Sequence, residues 1–482
     1  MIASPSSGAN TRLGHGTPGA PALPLLLVLV LSPAQGPSAA GAAAPDFSSR
    51  WYDADYRYLR QPEQRTGTWW EPLKRVSLSR SGEIYLALGG ELRLRYEHFE
   101  NNLWGEAPVP DDGYLWYRAM PYVDLHLGPR VRLFGQLIAA FAGGVAPADT
   151  PVDETETDLL QGFAELQQPL GERVLSLRAG RQLLAYGSER LISTRYGLNV
   201  LRPFDGGVAR LDAGPWRVDA LYVRPVDTGL ESFDDETGDD QALWSLYTTR
   251  ALPLGQESGL DLYYIGYNND RGVFNQGAGD ERRHTLGTRF FGAARGWDWN
   301  FEAFYQFGDF DAGAISAWSV ASDAGYTFAA LPLSPRLGLR AGIISGDEDP
   351  ADPDLQTFNP LFPKGKYFDE IGLLGPYNLI DVHPILTFTI SEEWEVRAAA
   401  ALYWRESSED GLYDNGGGLI RADGGSDARF IGRQIELVLS YSPLREVNFK
   451  ISYSRFEAGR FIEETGLDDT IHFIGAEVRL WF

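Results

Sequence analysis

Residues 178–205 read RAGRQLLAYGSERLISTRYGLNVLRPFD. Five arginines, Arg178, Arg181, Arg190, Arg195 and Arg202, stand there against two acids, Glu189 and Asp205, in a chain whose formal net charge is -24. A guanidinium is a planar fork of donors that grips a carboxylate or phosphate through two parallel hydrogen bonds. Several such forks in series make a binding or passage site for an anion. The basic charge elsewhere is also almost all arginine, since lysine occurs only at 74, 364, 366 and 450. A codon bias toward arginine gives the same composition without a physical reason. A second group, Arg93, Arg95, Arg118, Arg132, Arg340 and Arg397, falls on alternate positions opposite apolar side chains, interspersed with Glu91, Asp124 and Glu302. Rings of arginine or lysine select anions in pores. The competing reading is a neutralised ladder of arginine–carboxylate pairs that braces a wall.

Other chemistry is thin. The chain has no cysteine, which excludes disulfides and thiolate catalysis, and its six histidines show no ligand spacing. No G-x-S-x-G, Walker loop, H-E-x-x-H or EF-hand pattern occurs. His98 and Ser193 fit polar lumen or loop positions better than any hydrolase scheme. The sequence therefore points to no enzyme, no cofactor, no nominated metal site and no nucleic-acid partner. Acidic runs at 149–158, 231–240 and 347–354 carry much of the negative charge. Such runs are usually solvated surface; on an outer face they also suit divalent cations that bridge lipopolysaccharide or travel with an anionic polymer.

The elements that must position these arginines are strands. In GWDWNFEAFYQFG, Trp297, Trp299, Phe301, Ala303, Tyr305 and Phe307 share one face, and Asp298, Asn300, Glu302 and Gln306 share the other. Successive strand side chains point to opposite sides, so one face is apolar and the other polar. EIYLALGGELRLRYE and EEWEVRAAALYWR repeat the pattern. A soluble β-sandwich also alternates, but with strands of about five or six residues. These runs approach the 9–11 residues, roughly, that a tilted strand needs to cross a bilayer. About 18 strands are expected, starting near residues 83, 113, 130, 157, 172, 206, 215, 241, 259, 281, 296, 314, 335, 377, 393, 428, 445 and 470. Long connections (100–112, 142–156, 183–205, 225–240, 345–376, 405–427) alternate with short ones such as GPR at 128–130 and SE at 391–392. This predicts an all-β, transmembrane antiparallel barrel with long extracellular loops and short periplasmic turns.

The ends fit export to an outer membrane. Arg12 and His15 precede an apolar run, Ala22 to Leu31, and then small residues, the pattern of a signal peptide cleaved between Ala40 and Ala44. The expected division is a signal peptide at 1–44, a periplasmic arm or inward plug at 45–82, and the barrel at 83–482. Ile474, Ala476, Val478 and Leu480 share a face with the terminal Phe482. That ending resembles the signal by which barrel assembly machinery recognises its clients.

The opening segment resembles the hallmark of the alginate-export family of outer-membrane porins, a strand ending R-x-G-R-Q, then Y-G-x-x-R-L-I-S and R-x-F-D-G. A second block, FNPLFPKGKYFDEIGLLGPYNLID at 358–381, is similar to another of that family. The resemblance spans about residues 50–482. It implies an 18-stranded barrel with an arginine-rich constriction passing anionic polysaccharide, uronate polymers such as alginate among them. Carried over, it puts Arg178, Arg181, Arg190, Arg195 and Arg202 at the pore, with Asp205 as a structural partner.

The expected function is a diffusion porin in the bacterial outer membrane for anionic saccharides or other anionic solutes, in contact with outer-membrane lipid and lipopolysaccharide. The alternatives are a plugged barrel serving an envelope complex and a barrel-embedded hydrolase. The long loop at 183–205, with Arg190, Arg195 and Arg202 against Glu189, is long enough to fold back into the lumen as a constriction.

Overall fold

The computed structural model describes residues 50–54, 56–107, 113–144 and 150–482. The expected signal peptide lies outside the described residues. Eighteen strands form the wall: β1 (Ile84–Glu100), β2 (Gly113–Leu127), β3 (Val131–Gly143), β4 (Thr155–Leu170), β5 (Arg173–Leu183) and β6 (Pro203–Ala213). They continue as β7 (Trp216–Asp227), β8 (Gln241–Ala251), β9 (Gln256–Phe274), β10 (Gly277–Ala294), β11 (Trp297–Phe310) and β12 (Gly313–Thr327). The last third is β13 (Arg336–Ile344), β14 (Leu379–Thr389), β15 (Trp394–Trp404), β16 (Phe430–Leu444), β17 (Val447–Ala458) and β18 (Ile471–Trp481). Every neighbouring pair is antiparallel, and β18 returns to β1 with Glu91 opposite Trp481 and Glu100 opposite His472. Closure leaves no unpaired edge, which is what hydrocarbon demands of a sheet.

The alternation in the sequence becomes two surfaces. Leu92, Leu94, Val123, Leu133, Leu246, Leu286, Phe301, Ile451 and Ile474 are exposed on the outside, while Glu91, Arg93, Arg118, Gln136, Glu302 and Glu477 are buried inside. This inverts the rule for soluble proteins, because the outer solvent is lipid. Aromatics mark the periplasmic rim: Trp297 packs on Tyr326, and Trp394 stacks on Tyr441 at 4.2 Å. Such belts sit at membrane interfaces.

The strand starts agree with those read from the sequence to within a few residues. The outer connections are less uniform than the sequence suggested, since β9–β10 and β11–β12 turn over Asn275–Gln276 and Asp311–Ala312. The hairpins there are extended strands that run past the alternating core of each segment, so their length went into the sheet.

The segment before β1 packs against the inner wall. Trp51 stacks on Tyr122, and Tyr52 packs edge-on against Phe134 and Phe163 of the inner wall. The Tyr52 hydroxyl donates to the Leu183 carbonyl at 2.6 Å, and Arg50 donates to Ala185 at 3.1 Å. Farther along, Lys74 donates to the backbone oxygen of Phe482 at 2.7 Å and to the Tyr122 hydroxyl at 2.6 Å.

Candidate functional site

Two outer connections fold inward: L3 (184–202) between β5 and β6, and L7 (345–378) between β13 and β14. L3 bends sharply at Gly187, φ +58, where an added Cβ would lie 2.7 Å from the Tyr247 hydroxyl. Glu189 and Arg195 in L3, and Leu361 and Lys366 in L7, also adopt left-handed φ. Non-glycine residues hold such conformations only where surrounding contacts over-determine them. The two loops meet at a parallel bridge between Ile192 and Phe362, and Lys364 donates its backbone N–H to Glu189 at 3.1 Å. At Gly197 and Gly365 they touch so closely that a Cβ on Gly197 would be 2.5 Å from the Gly365 oxygen.

Each loop reaches opposite walls. At one end of L3, Arg93 donates to the carbonyls of Tyr196 (3.2 Å) and Leu198 (2.7 Å), and Arg118 donates to Leu198 (2.9 Å) and Asn199 (3.1 Å). At its other end, Arg190 pairs with Glu302 of β11 at 3.2 Å, and Ser188 bonds the same carboxylate. In L7, Arg283 of β10 donates to Thr357 at 3.2 Å and Gln306 of β11 donates to Asn359 at 2.7 Å, while Lys366 pairs with Glu97 of β1 at 2.6 Å. In a ring of this order β10 and β11 stand halfway round from β1 and β2. Both loops therefore span the lumen.

The arginines read from the sequence separate by partner. Arg178 bonds Glu165 and lies 4.0 Å from the Tyr52 ring centroid. Arg181 forms a two-pronged pair with Asp205, both contacts at 3.0 Å. Arg132 pairs with Asp124, Arg118 with Glu91 at 2.6 Å, and Arg397 with Glu436 at 2.6 Å. Arg95 is ringed by Glu97, Glu370 and Glu477. Among the described residues Arg93 pairs only with Glu477, at 3.9 Å, and spends its donors on L3. Much of the inner row is thus a braced ladder, and its free forks clamp the loops.

Three of the nominated arginines make no ion pair among the described residues. Arg195 donates through Nε to Val200 at 3.2 Å, Arg202 lies over the Phe362 ring, and Arg340 donates to the Tyr367 carbonyl at 3.0 Å. Lys364, which the sequence reading did not single out, joins them: its ammonium sits 5.6 Å from the Tyr367 ring, near Arg340 and Arg190. Burial, followed by the repulsion of those two guanidinium groups, lowers Lys364 to about 7. Burial and then Arg202 lower Arg195 to about 9, and burial lowers Arg202 to about 10. Both arginines stay charged at neutral pH, in places that disfavour charge. In contrast, burial alone would raise Glu370 in L7, but Lys450, Arg95 and Lys366 hold it down to about 2.

Two asparagines also escaped the sequence reading. Asn199 donates to the carbonyls of Tyr117, Phe141 and Asp153, and Asn378 donates to those of Ser407, Asp410 and Gly411. Both are fully buried. They close the two quoted blocks in the similar strings N-V-L-R and N-L-I-D, and that parallel was the signal available.

Two of the acidic runs come together at the outer end of β4, where Asp158 is buried. Carboxylate oxygens of Asp158, Asp234 and Asp235 lie within 4.8 Å of one another. Asp158 accepts the backbone N–H of Asp234 at 3.0 Å and of Asp235 at 3.2 Å, which ties the loop between β7 and β8 to β4. Burial, with Asp158 alongside, pushes Asp235 up to about 6.

A closed 18-strand barrel with a lipid-facing apolar band and loops folded into a charged lumen defines an outer-membrane porin. The chain belongs to the alginate export family, whose profile matches residues 84–476. No curated protein sequence matches it. Among solved structures it is similar in fold to OccAB1 of Acinetobacter baumannii, at 10% identity and a TM-score of 0.56 over 86% of this chain and 99% of that one. It is also similar to a BenF-like porin of Pseudomonas fluorescens Pf-5, at 8% identity, a TM-score of 0.55, and 82% and 99% coverage. A third is OccK2 (OpdF) of Pseudomonas aeruginosa in complex with glucuronate, at 11% identity, a TM-score of 0.53, and 82% and 96% coverage. The protein is a porin of the bacterial outer membrane.

Proposed function

We propose that this porin passes anionic solutes, acidic saccharides of the uronate type first among them, and that it does so as a channel and not as an enzyme. The observation that carries the reading is the set of lumenal cations without carboxylate partners: Arg195, Arg202, Arg340 and Lys364. Leaving the three arginines partly desolvated and unpaired disfavours the empty state, and a carboxylate from a sugar acid supplies the missing partner and draws Lys364, lowered to about 7, toward its charged form. Exposure to water in the lumen keeps each contact weak enough to release. The family's description, alginate export, agrees with an acidic sugar polymer, and the related fold of OccK2 was solved with glucuronate.

Liposome swelling tests the reading. Glucuronate should enter faster than glucose of the same size, and the double variant Arg195→Glu with Arg202→Glu should abolish that preference. Equal rates for the two sugars in the native protein would sink it.

A second reading, a plugged barrel that serves as a binding component of the envelope, is favoured by the packing of Trp51 and Tyr52 inside the wall. Residues 45–82 would then act as the plug.

A further inference from the structure

L3 and L7 bury inward side chains on both of the walls that they reach. Each of the eighteen strands buries at least one side chain, from Arg93 on β1 through Ile138 on β3, Tyr263 on β9, Arg283 on β10 and Tyr403 on β15 to Phe473 on β18. In an open eyelet the basic wall would face water. Here Arg93, Arg95 and Arg118 are 3%, 2% and 2% exposed, the first and last beneath the backbone of L3 and Arg95 against Glu370 of L7. Apolar packing adds to this: Met120, Ile138 and Leu160 of the wall close on Val200 and Leu201 of L3. Ile192 and Phe362, at the junction of the loops, join the largest cluster.

Polar cavities lie on either side of this layer. The inner one, about 530 Å³, is lined by Arg50, Arg132, Arg178, Arg210, Gln182 and Tyr186. The outer one, about 380 Å³, is lined by Arg195 and Arg202 of L3, Asn359 and Tyr377 of L7, and Asn269 and Arg271 of β9. Residues 184–186 of L3 face the first and Arg195 and Arg202 the second, so one loop is the partition between them. Of the charged groups at the outer cavity, Glu281 is engaged by Arg283 and by Asn359 at 3.0 Å and Arg271 pairs with Asp240, which leaves the two L3 arginines facing the single carboxylate of Asp227.

We propose that L3 and L7 form a strap that holds the channel shut, and that a short acidic saccharide entering the outer cavity opens it. The proposal rests on the anion reading above and adds regulation to it. A ligand shifts a two-state element only through a difference in affinity between the states. The outer cavity supplies that difference, because both moving loops line it and its arginines repel each other when it is empty. Its volume falls in the range of small-molecule sites, about 300–1,000 Å³, which suits one or two sugar units with a carboxylate. The closed state is held on the far wall by the Arg93 and Arg118 bonds to the carbonyls of Tyr196, Leu198 and Asn199. Those are the contacts that must exchange for water when the strap lifts.

Planar-bilayer recording of the full barrel tests this, with glucuronate and a diuronate as probes and glucose as control. Native channels should show low basal conductance that rises severalfold with either uronate on the loop side and does not respond to glucose. Arg93→Gln with Arg118→Gln should raise basal conductance about tenfold or more without ligand, since charge-assisted bonds to the strap are lost. Heat-modifiable migration on gels establishes that this variant retains the barrel. Steadily open native channels, unchanged by uronate and by the double variant, would overturn the strap while leaving anion passage intact. A folded double variant that stays shut would overturn it as well. An opened channel that prefers cations would instead refute the anion reading and leave the strap standing.

Discussion

Lys364 has no acid partner among the described residues and stands beside Arg340 and Arg190, and burial with their repulsion brings it to about 7. Its ordinary value is 10.5, so the folded loop favours the neutral amine. As pH falls through about 7 the group gains a proton and the lumen a positive charge; above that the charge is lost. Anion preference in the native protein should therefore rise on acidification across this range, and Lys364→Met should flatten the dependence. Zero-current potentials recorded as a function of pH check the sign, and a preference that grows with rising pH would be inconsistent with it. The arginines could be found in the sequence because their type and crowding are visible there. Which of them lack partners was not, because pairing depends on cross-strand register: Arg181 meets Asp205 across β5 and β6, while Arg195 and Arg202 sit on loop backbone and make no ion pair among the described residues. Lys364 was passed over because an isolated lysine in a loop carries no pattern of its own.

At the scale of elements, L3 and L7 are held by polar pins more than by secondary structure. Asn199 alone donates to carbonyls at the ends of β2 and β3 and in the loop at residue 153, and it accepts from Arg93 at 3.2 Å. Asn199→Ala leaves those buried groups unsatisfied and should weaken the docking of L3 by about 1–3 kcal/mol. Limited proteolysis of the embedded barrel should then cut within 184–202 much faster than in the native protein, while Ser188→Ala, which loses one bond at the other wall, should have a smaller effect. Equal cutting in native and Asn199→Ala proteins would remove this role. The strands themselves were legible because lipid on one side and polar lumen on the other impose a period of two. The inward fold of L3 was an open possibility in the sequence, since length and charge permit it without requiring it. What fixes it is spatial: Arg93 and Arg118 reach its carbonyls, and Gly197 and Gly365 allow the two loops to touch.

On the scale of the whole molecule, a net charge of -24 and an arginine-bearing lumen coexist because they occupy different surfaces. Acidic runs such as 231–240 belong to outer loops, where Asp234 and Asp235 converge on Asp158 at the outer end of β4, and Arg195 and Arg202 line the outer cavity. The long-range field of the acidic rim opposes entry of an anion, but salt screens it over about 8–10 Å. The partly desolvated cations inside are screened far less, so the lumen, and not the net charge, should decide which ion passes. The most direct measurement is the zero-current potential across a bilayer with this porin under a potassium chloride gradient. The account predicts the sign of an anion-selective channel, moved toward cation selectivity by Arg195→Glu with Arg202→Glu. A cation-selective native channel, or a potential indifferent to those substitutions, would contradict it.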